Sequence, residues 1–371
     1  MKKTRTIVTP TSIPVVIIGG GPAGLAIALT LREHHIPCVV IDNHMGSTVK
    51  LGESLAPSAN AVFRKLSLEE ILTSEVHSLY VGNNVVWGDS SLRQRYFLNE
   101  PYGDGRHLNR TLFEKQLQDI AIERGVIILE NYRLTSITQQ ENKMIVSCCH
   151  SDNTTRTITA DFIADCSGRA SIVAKKMGIK KQIIDNLASY HFIAEQSEES
   201  LKGMTFIESV EDGWWYVAPL ADNKVIVNFM SDSDLHSNNA TSLYDWLFSK
   251  IATTQHLKNY LPAIKSLTTE VGIKTATTSL LDKPGGKQWI AVGDALCTYD
   301  PLTSFGITNA LVSGHNAANA IAGFLNGNTD SLSEYITSQM ALFNKSVALL
   351  QNQYQSEQRW TKHLFWERRH L

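Results

Sequence analysis

Gly19, Gly21 and Gly24 stand at G-x-G-x-x-G spacing directly after the β-branched run Val15-Val16-Ile17-Ile18. Residues of these types in this order suit the pyrophosphate of a dinucleotide. The first glycine permits a tight turn, the second lets backbone approach the anion, and the third lets a helix pack closely on the strand. Pro22 and Ala23 open that helix, whose first N–H groups have no intrahelical acceptor and face the anion. Asp42 closes the next apolar run, Cys38 to Ile41, where a carboxylate can accept from a ribose hydroxyl. A lone glycine motif can equally be a helix-packing device, so the other turns of the chain decide its meaning.

Three such turns follow. Gly52-Glu53-Ser54 lies in the segment Leu51 to Ser58 and opens a helical pattern through Phe63, Leu66, Leu68 and Ile71. Asp165-Cys166-Ser167-Gly168-Arg169 ends the apolar strand Phe162 to Ala164. Gly293-Asp294-Ala295 ends Trp289 to Val292 and leads through Pro301, Ser304, Gly306 and Ile307 into a long helix reaching Ala322. Apolar strands that run into polar glycine turns present those turns to a ligand at the carboxyl ends of a sheet. Four turns, at 19–24, 52–54, 165–169 and 293–306, can therefore converge on one extended ligand.

Elements must position them. The pattern predicts a helix from Asn109 or Arg110 to the stop at Gly125, a buried strand Val126 to Leu129, and a meander at Leu134–Ile137, Ile145–Cys149 and Thr157–Ala160. Alternating strands occupy Tyr80 to Leu98 and most of 186–284, with one helix near Ser242 to Leu261. The predicted fold is α/β: a Rossmann-like dinucleotide domain at 1–79, 105–185 and 285–330, interleaved with a β-sheet-rich substrate domain at 80–104 and 186–284. C-terminal helices at 331–371 end in an aromatic and basic tail from Tyr354 to Arg369, read as an amphipathic closure of the core rather than a docking helix.

Composition removes several function classes. A formal net charge of −2 gives no basic field for a phosphate backbone, so nucleic acid is not an expected partner. Lys2, Lys3 and Arg5 precede an apolar stretch that contains the glycine turn and Pro22, which argues against a secretory leader, and no other run reaches the ~20 apolar residues of a membrane span. The five cysteines, Cys38, Cys148, Cys149, Cys166 and Cys297, form no C-x-x-C pair and read as reduced packing residues of a cytoplasmic protein. No metal site is expected.

The motifs GGGPAG, DCSGR and GDALCTYDPLTSFG resemble those of the FAD-dependent aromatic hydroxylase superfamily, over nearly the whole chain. The resemblance implies FAD, held by a fold of the GR2 type. It places Gly19 to Gly24 on the pyrophosphate, Asp294 on the ribityl hydroxyls or pyrophosphate, Arg110 near the cofactor, and the stretch Pro301 to Gly306 along the flavin ring, to which the residues after the proline offer backbone N–H groups. GESLAPS resembles the flavin-dependent halogenases in particular. In that family an essential lysine shortly precedes a Gly-x-x-Φ-x-Trp-Gly segment; here Tyr80 occupies its place before Gly82 to Gly88. The Trp-x-Trp-x-Ile-Pro signature reads Trp214-Trp215-Tyr216-Val217-Ala218-Pro219. Chain length, GESL, DPLTSFGITNAL and the tail resemble the flavoproteins that mature cysteine tryptophylquinone in amino-acid oxidases such as glycine oxidase and lysine ε-oxidase.

That resemblance implies an FAD-dependent monooxygenase hydroxylating an aromatic ring through a flavin hydroperoxide, its substrate a tryptophan of a precursor protein during cofactor biogenesis. O2 and an electron donor are then required, and the single G-x-G-x-x-G leaves NAD(P)H and a separate reductase both open. Alternatives are a halogenase or small-molecule aromatic hydroxylase, an isoprenoid-type FAD reductase, which needs a long apolar tunnel, and a non-catalytic flavoprotein chaperone. No general base stands out. Tyr80, Trp87, Trp214, Tyr216 and His191 are the candidates for the pocket wall, with Glu208 and Asn228 on the same predicted strands.

Overall fold

The computed structural model describes residues 11–43, 50–196, 201–236, 242–267 and 270–370; Lys2, Lys3 and Arg5 fall outside them. The strand Ser12–Ile18 is central to the first sheet. Val15, Val16 and Ile17 are fully buried, as expected of a strand covered on both faces. Ser12–Ile18 pairs in parallel with Cys38–Asp42 on one side and Thr155–Asp165 on the other. Ile127–Glu130 extends the sheet beyond Cys38–Asp42, and Trp289–Ala291 beyond Thr155–Asp165, both again parallel. Parallel pairing puts all their carboxyl ends at one edge, which is why the glycine turns after Ile18, Asp165 and Ala291 meet there although more than a hundred residues separate them.

Thr155–Asp165 is longer than its sequence suggests. The last strand of the predicted meander and the apolar strand before Asp165 are one continuous element, pairing antiparallel with Lys143–His150 and then parallel with Ser12–Ile18. The helix expected through Phe63, Leu66, Leu68 and Ile71 is instead split into Asn60–Lys65 and Glu69–Leu72. Ser67 lies between them at φ +52°, with Ser67 N–H donating to Arg64 O and Leu68 N–H to Phe63 O, the paired bonds that end a helix on a left-handed residue. All four apolar side chains stay buried, so burial kept the spacing while the backbone turned. Similarly, the helix expected near Ser242 to Leu261 is Leu243–Ala252 followed by a 3-10 turn at Leu257–Ala263.

A second sheet runs in the order Ile264–Leu267, Leu187–Gln196, Lys224–Asp232, Gly213–Leu220, Met204–Val210, Gly82–Val86 and Arg93–Tyr96, with Gly272–Thr275 also on Leu187–Gln196. Its register, His191 opposite Asn228 and Asn228 opposite Tyr216, sets those three on one face with Ser189, Met230 and Trp214. The opposite face carries Tyr190, Phe229, Trp215 and Val86, packed against the helix Leu243–Ala252.

The C-terminal helices Ser331–Gln355 and Leu364–His370 clamp one end of this sheet. Trp366 donates its indole N–H to Val210 O at 2.8 Å, and the Arg369 guanidinium grips both oxygens of Asp232, at 2.6 and 3.1 Å. Asp232 is 1% exposed. Arg368 Nη1 also reaches Asp232 Oδ2, at 2.9 Å, but is the more exposed of the two, so removing Arg369 takes away the buried carboxylate's main partner. Arg369→Ala should therefore lower the unfolding free energy by about 3 kcal/mol. Arg368→Ala, whose half-exposed pair is shared with Asp234, should cost roughly 1 kcal/mol or less. Urea unfolding followed by tryptophan fluorescence measures both, and equal losses would contradict this account of the clamp.

Candidate functional site

A cavity of about 410 Å³ opens where the carboxyl edge of the first sheet faces the second. Three of the four glycine turns supply its floor directly. Gly21, Pro22 and Ala23 line it from the first turn, Gly168 and Arg169 from the third, and Asp294 with Pro301, Ser304, Gly306 and Ile307 from the fourth. Gly52, Glu53, Ser54 and Arg110 close one side, so the second turn also reaches it. The roof is the sheet face bearing Ser189, Tyr216, Asn228 and Met230, extended by Lys274 to Ala276.

The glycines divide into two kinds. Gly19 has φ +109°, and a Cβ there would lie 2.3 Å from Cys166 O; a Cβ on Gly24 would lie 2.0 Å from Gly19 O. These two build the turn from beneath and do not line the cavity. Gly21, Gly168 and Gly306 would gain a Cβ that meets no protein atom within 4 Å. Their open side is a cradle for a ligand. The helices Pro22–Glu33 and Gly306–Leu325 both begin at the cavity, without an acidic residue in the first turn, so two positive dipole ends bear on it.

Charge around the fourth turn is held in a compact group. Arg169 Nε lies 3.8 Å from Asp294 Oδ2, and Lys181 donates to Asp294 O at 2.9 Å. Burial raises the Asp294 carboxyl, against the pull of Arg169, Lys181 and Arg110. Arg110 donates to Glu114 at 2.8 Å and to the carbonyls of Leu51 and Gly52, fixing the second turn, while its Nε has no protein partner. Glu53 Oε1 is likewise buried and unpartnered. The orphaned Arg110 Nε, a donor beside the open glycine cradle, fits a long polar ligand with phosphates.

Several predicted residues sit elsewhere. Asp42 lies beside the first turn, where Oδ1 accepts from Gly20 N–H at 2.9 Å, and is not part of the lining. Asp165 is fully buried, with its carboxylate spent on the N–H groups of Ser167, Val173 and Ala174; it caps the helix Ile172–Lys176 instead of meeting the cavity. Trp87 and Trp214 also miss the cavity. Trp87 donates to Gln353 O and Trp214 to Tyr354 Oη, each at 3.0 Å, because the C-terminal helices cover that part of the face. Tyr80 is 3% exposed, with its hydroxyl on Asn83 Oδ1 at 2.7 Å and its ring against Phe97 and His107. His191 is buried beside Gly272, outside the lining. Glu208 accepts from the N–H groups of Gln255, His256 and Leu257 as a turn cap. Of the aromatic candidates, Tyr216 alone lines the cavity.

Ser189 and Lys274 are lining residues that the motifs did not reveal. Ser189 donates to Asn228 Oδ1 at 3.0 Å. Only sheet register shows that Ser189 faces inward, and a short strand such as Gly272–Thr275 carries no signal that marks Lys274. Burial lowers the Lys274 ammonium, helped by Arg110 and opposed by Glu53. Ser189, Asn228 and Lys274 thus share the roof with Tyr216, Met230 and Ala276. Cys297 is 1% exposed, its thiol pushed up to about 11 by burial and bonded to Tyr299, which suits packing. Among the described residues no cluster of acidic, His or Cys side chains could hold a metal, and no helix is long and apolar enough to cross a membrane.

A family model described as FAD binding domain matches residues 12–346. The protein described as FAD-dependent oxidoreductase LodB, of Marinomonas mediterranea, is 26% identical over 367 residues, spanning 97% of each chain. The myxobacterial chondrochloren halogenase CndH superposes with a TM-score of 0.88 at 21% identity, covering 97% of this chain and 86% of its own. The peptidyl tryptophan dihydroxylase QhpG, essential for tryptophylquinone cofactor biogenesis, superposes with a TM-score of 0.79 at 22% identity, covering 97% and 79%. Gly21→Ala separates ligand binding from folding: the thermal midpoint of the flavin-free protein should not move, while FAD affinity, read by fluorescence quenching, should fall about tenfold or more, ~1.4 kcal/mol. Gly19→Ala should lower both, and a Gly21→Ala protein with unchanged affinity would contradict the cradle.

Proposed function

The chain belongs to the FAD binding domain family and is a flavin-dependent oxidoreductase with FAD as its cofactor, and from that premise we propose that it hydroxylates a tryptophan of a partner polypeptide. The observation that carries this reading is Tyr80. At the place where halogenase-like sequences have their essential lysine, the side chain is a buried phenol turned onto Asn83, away from the cavity. A family scaffold without that ammonium, but with a partly polar roof over the flavin turns, suits delivery of oxygen to an aromatic ring. The likeness in fold to a peptidyl tryptophan dihydroxylase supports a protein-borne ring, within the precursor of a quinone-dependent amino-acid oxidase.

FAD, bound and reduced, supplies activated oxygen from O2; the protein supplies position and environment. In this reading Gly21 to Ala23 hold the pyrophosphate and Asp294 the ribityl hydroxyls. The N–H groups of Phe305, Gly306 and Ile307, at the start of the helix Gly306–Leu325 and with its dipole behind them, favour negative charge on the flavin ring. Tyr216, Ser189 and Asn228 orient the substrate, and Met230 and Ala276 keep water from the reacting ring. The two electrons come from NAD(P)H bound in passing or from a separate reductase.

Lys274 favours a second reading. It brings an amine into the same cavity from another strand, so a halogenase with a relocated cation is the competing activity. Purified FAD-loaded protein, given reduced nicotinamide with a reductase, O2, chloride and bromide, should add oxygen atoms to tryptophan in an oxidase-precursor polypeptide, read by mass spectrometry. Halogen addition to the same ring, or to free indoles, would transfer the assignment to the second reading, and neither product would reject both.

A further inference from the structure

Glu53 occupies a position that cofactor binding alone does not account for. It is 3% exposed, and its Oε1 has no protein partner. Leaving a buried acceptor unpaired is costly, and more so when it is charged, so such a group in a native site calls for a use. The turn that carries it is held from three directions. Glu53 O accepts from Leu108 N–H at 2.7 Å, Ser54 Oγ bonds Tyr216 Oη at 2.7 Å and Thr205 Oγ1 at 3.0 Å, and Arg110 holds the Leu51 and Gly52 carbonyls. The carboxyl is thereby fixed at the wall shared by the flavin turns and the Tyr216 face.

Resting on the monooxygenase reading above, we propose that Glu53 is the general base that takes the ring proton from the aromatic substrate. Hydroxylation forms one C–O bond at a ring carbon and breaks the C–H bond there. The C–H electron pair stays in the ring to restore aromaticity, and the proton passes to the Glu53 carboxylate. The second atom of O2 leaves as water, using the two electrons that the nicotinamide or reductase donor placed on FAD. Arg110 from its helix, Lys274 from the roof strand and the neutral Tyr216 are the titratable groups that act on or beside this carboxyl. Arg110 pairs with Glu114, as does Lys50. Burial pushes the Glu53 carboxyl up to about 7, against its own and the Gly52 backbone N–H groups, Arg110 and Lys274, so it can both accept and release a proton near neutrality.

The test is Glu53→Gln in the FAD-loaded protein, with a tryptophan-bearing precursor polypeptide whose indole ring is deuterated in one arm. FAD affinity should stay within about threefold, the rate of ring oxygenation should fall about 100-fold, the wild-type limb near neutral pH should vanish, and a ring-deuterium isotope effect should appear only in the variant. Infrared difference spectra of the wild type between acid and alkaline pH should show a carboxyl band titrating near neutrality that Glu53→Gln lacks. This readout does not depend on turnover. Loss of FAD from the variant would make Glu53 a cofactor ligand and overturn the proposal. Retained rate and pH limb would overturn it while leaving the monooxygenase reading intact, whereas no oxygenation by the wild type would remove that reading and the base with it.

Discussion

The close contact between the first helix, Pro22–Glu33, and the helix Gly306–Leu325 is the constraint from which the site follows. A Cβ on Gly314 would lie 2.5 Å from Ala23 O and 2.9 Å from Ala26 Cβ, and one on Gly293 would lie 3.1 Å from Ala23 Cβ. Such backbone approach is possible only with glycine and alanine along both elements. It draws the start of each helix to the same edge of the parallel sheet, so that two sets of unpaired N–H groups, encoded nearly three hundred residues apart, face one cavity. A larger side chain at Gly314 or Gly293 would separate the two helix starts before it touched any ligand.

The C-terminal tail belongs to this arrangement although it lies behind the wall. Trp214 donates to Tyr354 Oη, and Tyr354 Oη donates in turn to Asp300 Oδ2 at 2.7 Å. Asp300 Oδ1 accepts from Leu302 N–H at 2.8 Å and so shapes the turn Pro301–Thr303 beside the cavity. Burial pushes the Asp300 carboxyl up to about 6, well below the Tyr354 phenol, whose own proton is held more firmly by burial and by the adjacent acid. Above neutrality Asp300 is the charged partner and Tyr354 the donor, consistent with the bond seen. The tail therefore closes the second sheet and, through one hydroxyl, braces a turn that lines the cavity.

How much of this was legible in the sequence depends on whether a residue's role is local. Gly19 to Gly24, Gly168 and the run from Gly293 to Ile307 announce themselves, because each turn is encoded by its own glycine after its own apolar strand, and parallel pairing does the rest. The roof was legible only in outline. Whether Ser189, Asn228, Tyr216 or Trp214 faces the cavity depends on register with strands far away, and which part of that face is open depends on where the tail lands. Trp87 and Trp214 thus read as wall candidates but are covered by the Tyr354 and Trp366 cluster. Asp165 misled for the opposite reason: an acid in a glycine turn reads as ligand-facing, while the N–H groups of Val173 and Ala174 claim it from within. Lys274 lies in a short strand with no motif, and only the folded sheet brings it near Glu53.

Because the fold is shared by hydroxylases and halogenases, the origin of the atom added to the ring tests the account most directly. With isotopically labelled O2 and excess chloride, the products formed on a tryptophan-bearing precursor polypeptide can be weighed. The account predicts that each new hydroxyl carries one labelled oxygen and that chlorine is absent. Chlorine on the ring, or hydroxyl oxygen drawn from unlabelled water, would contradict it.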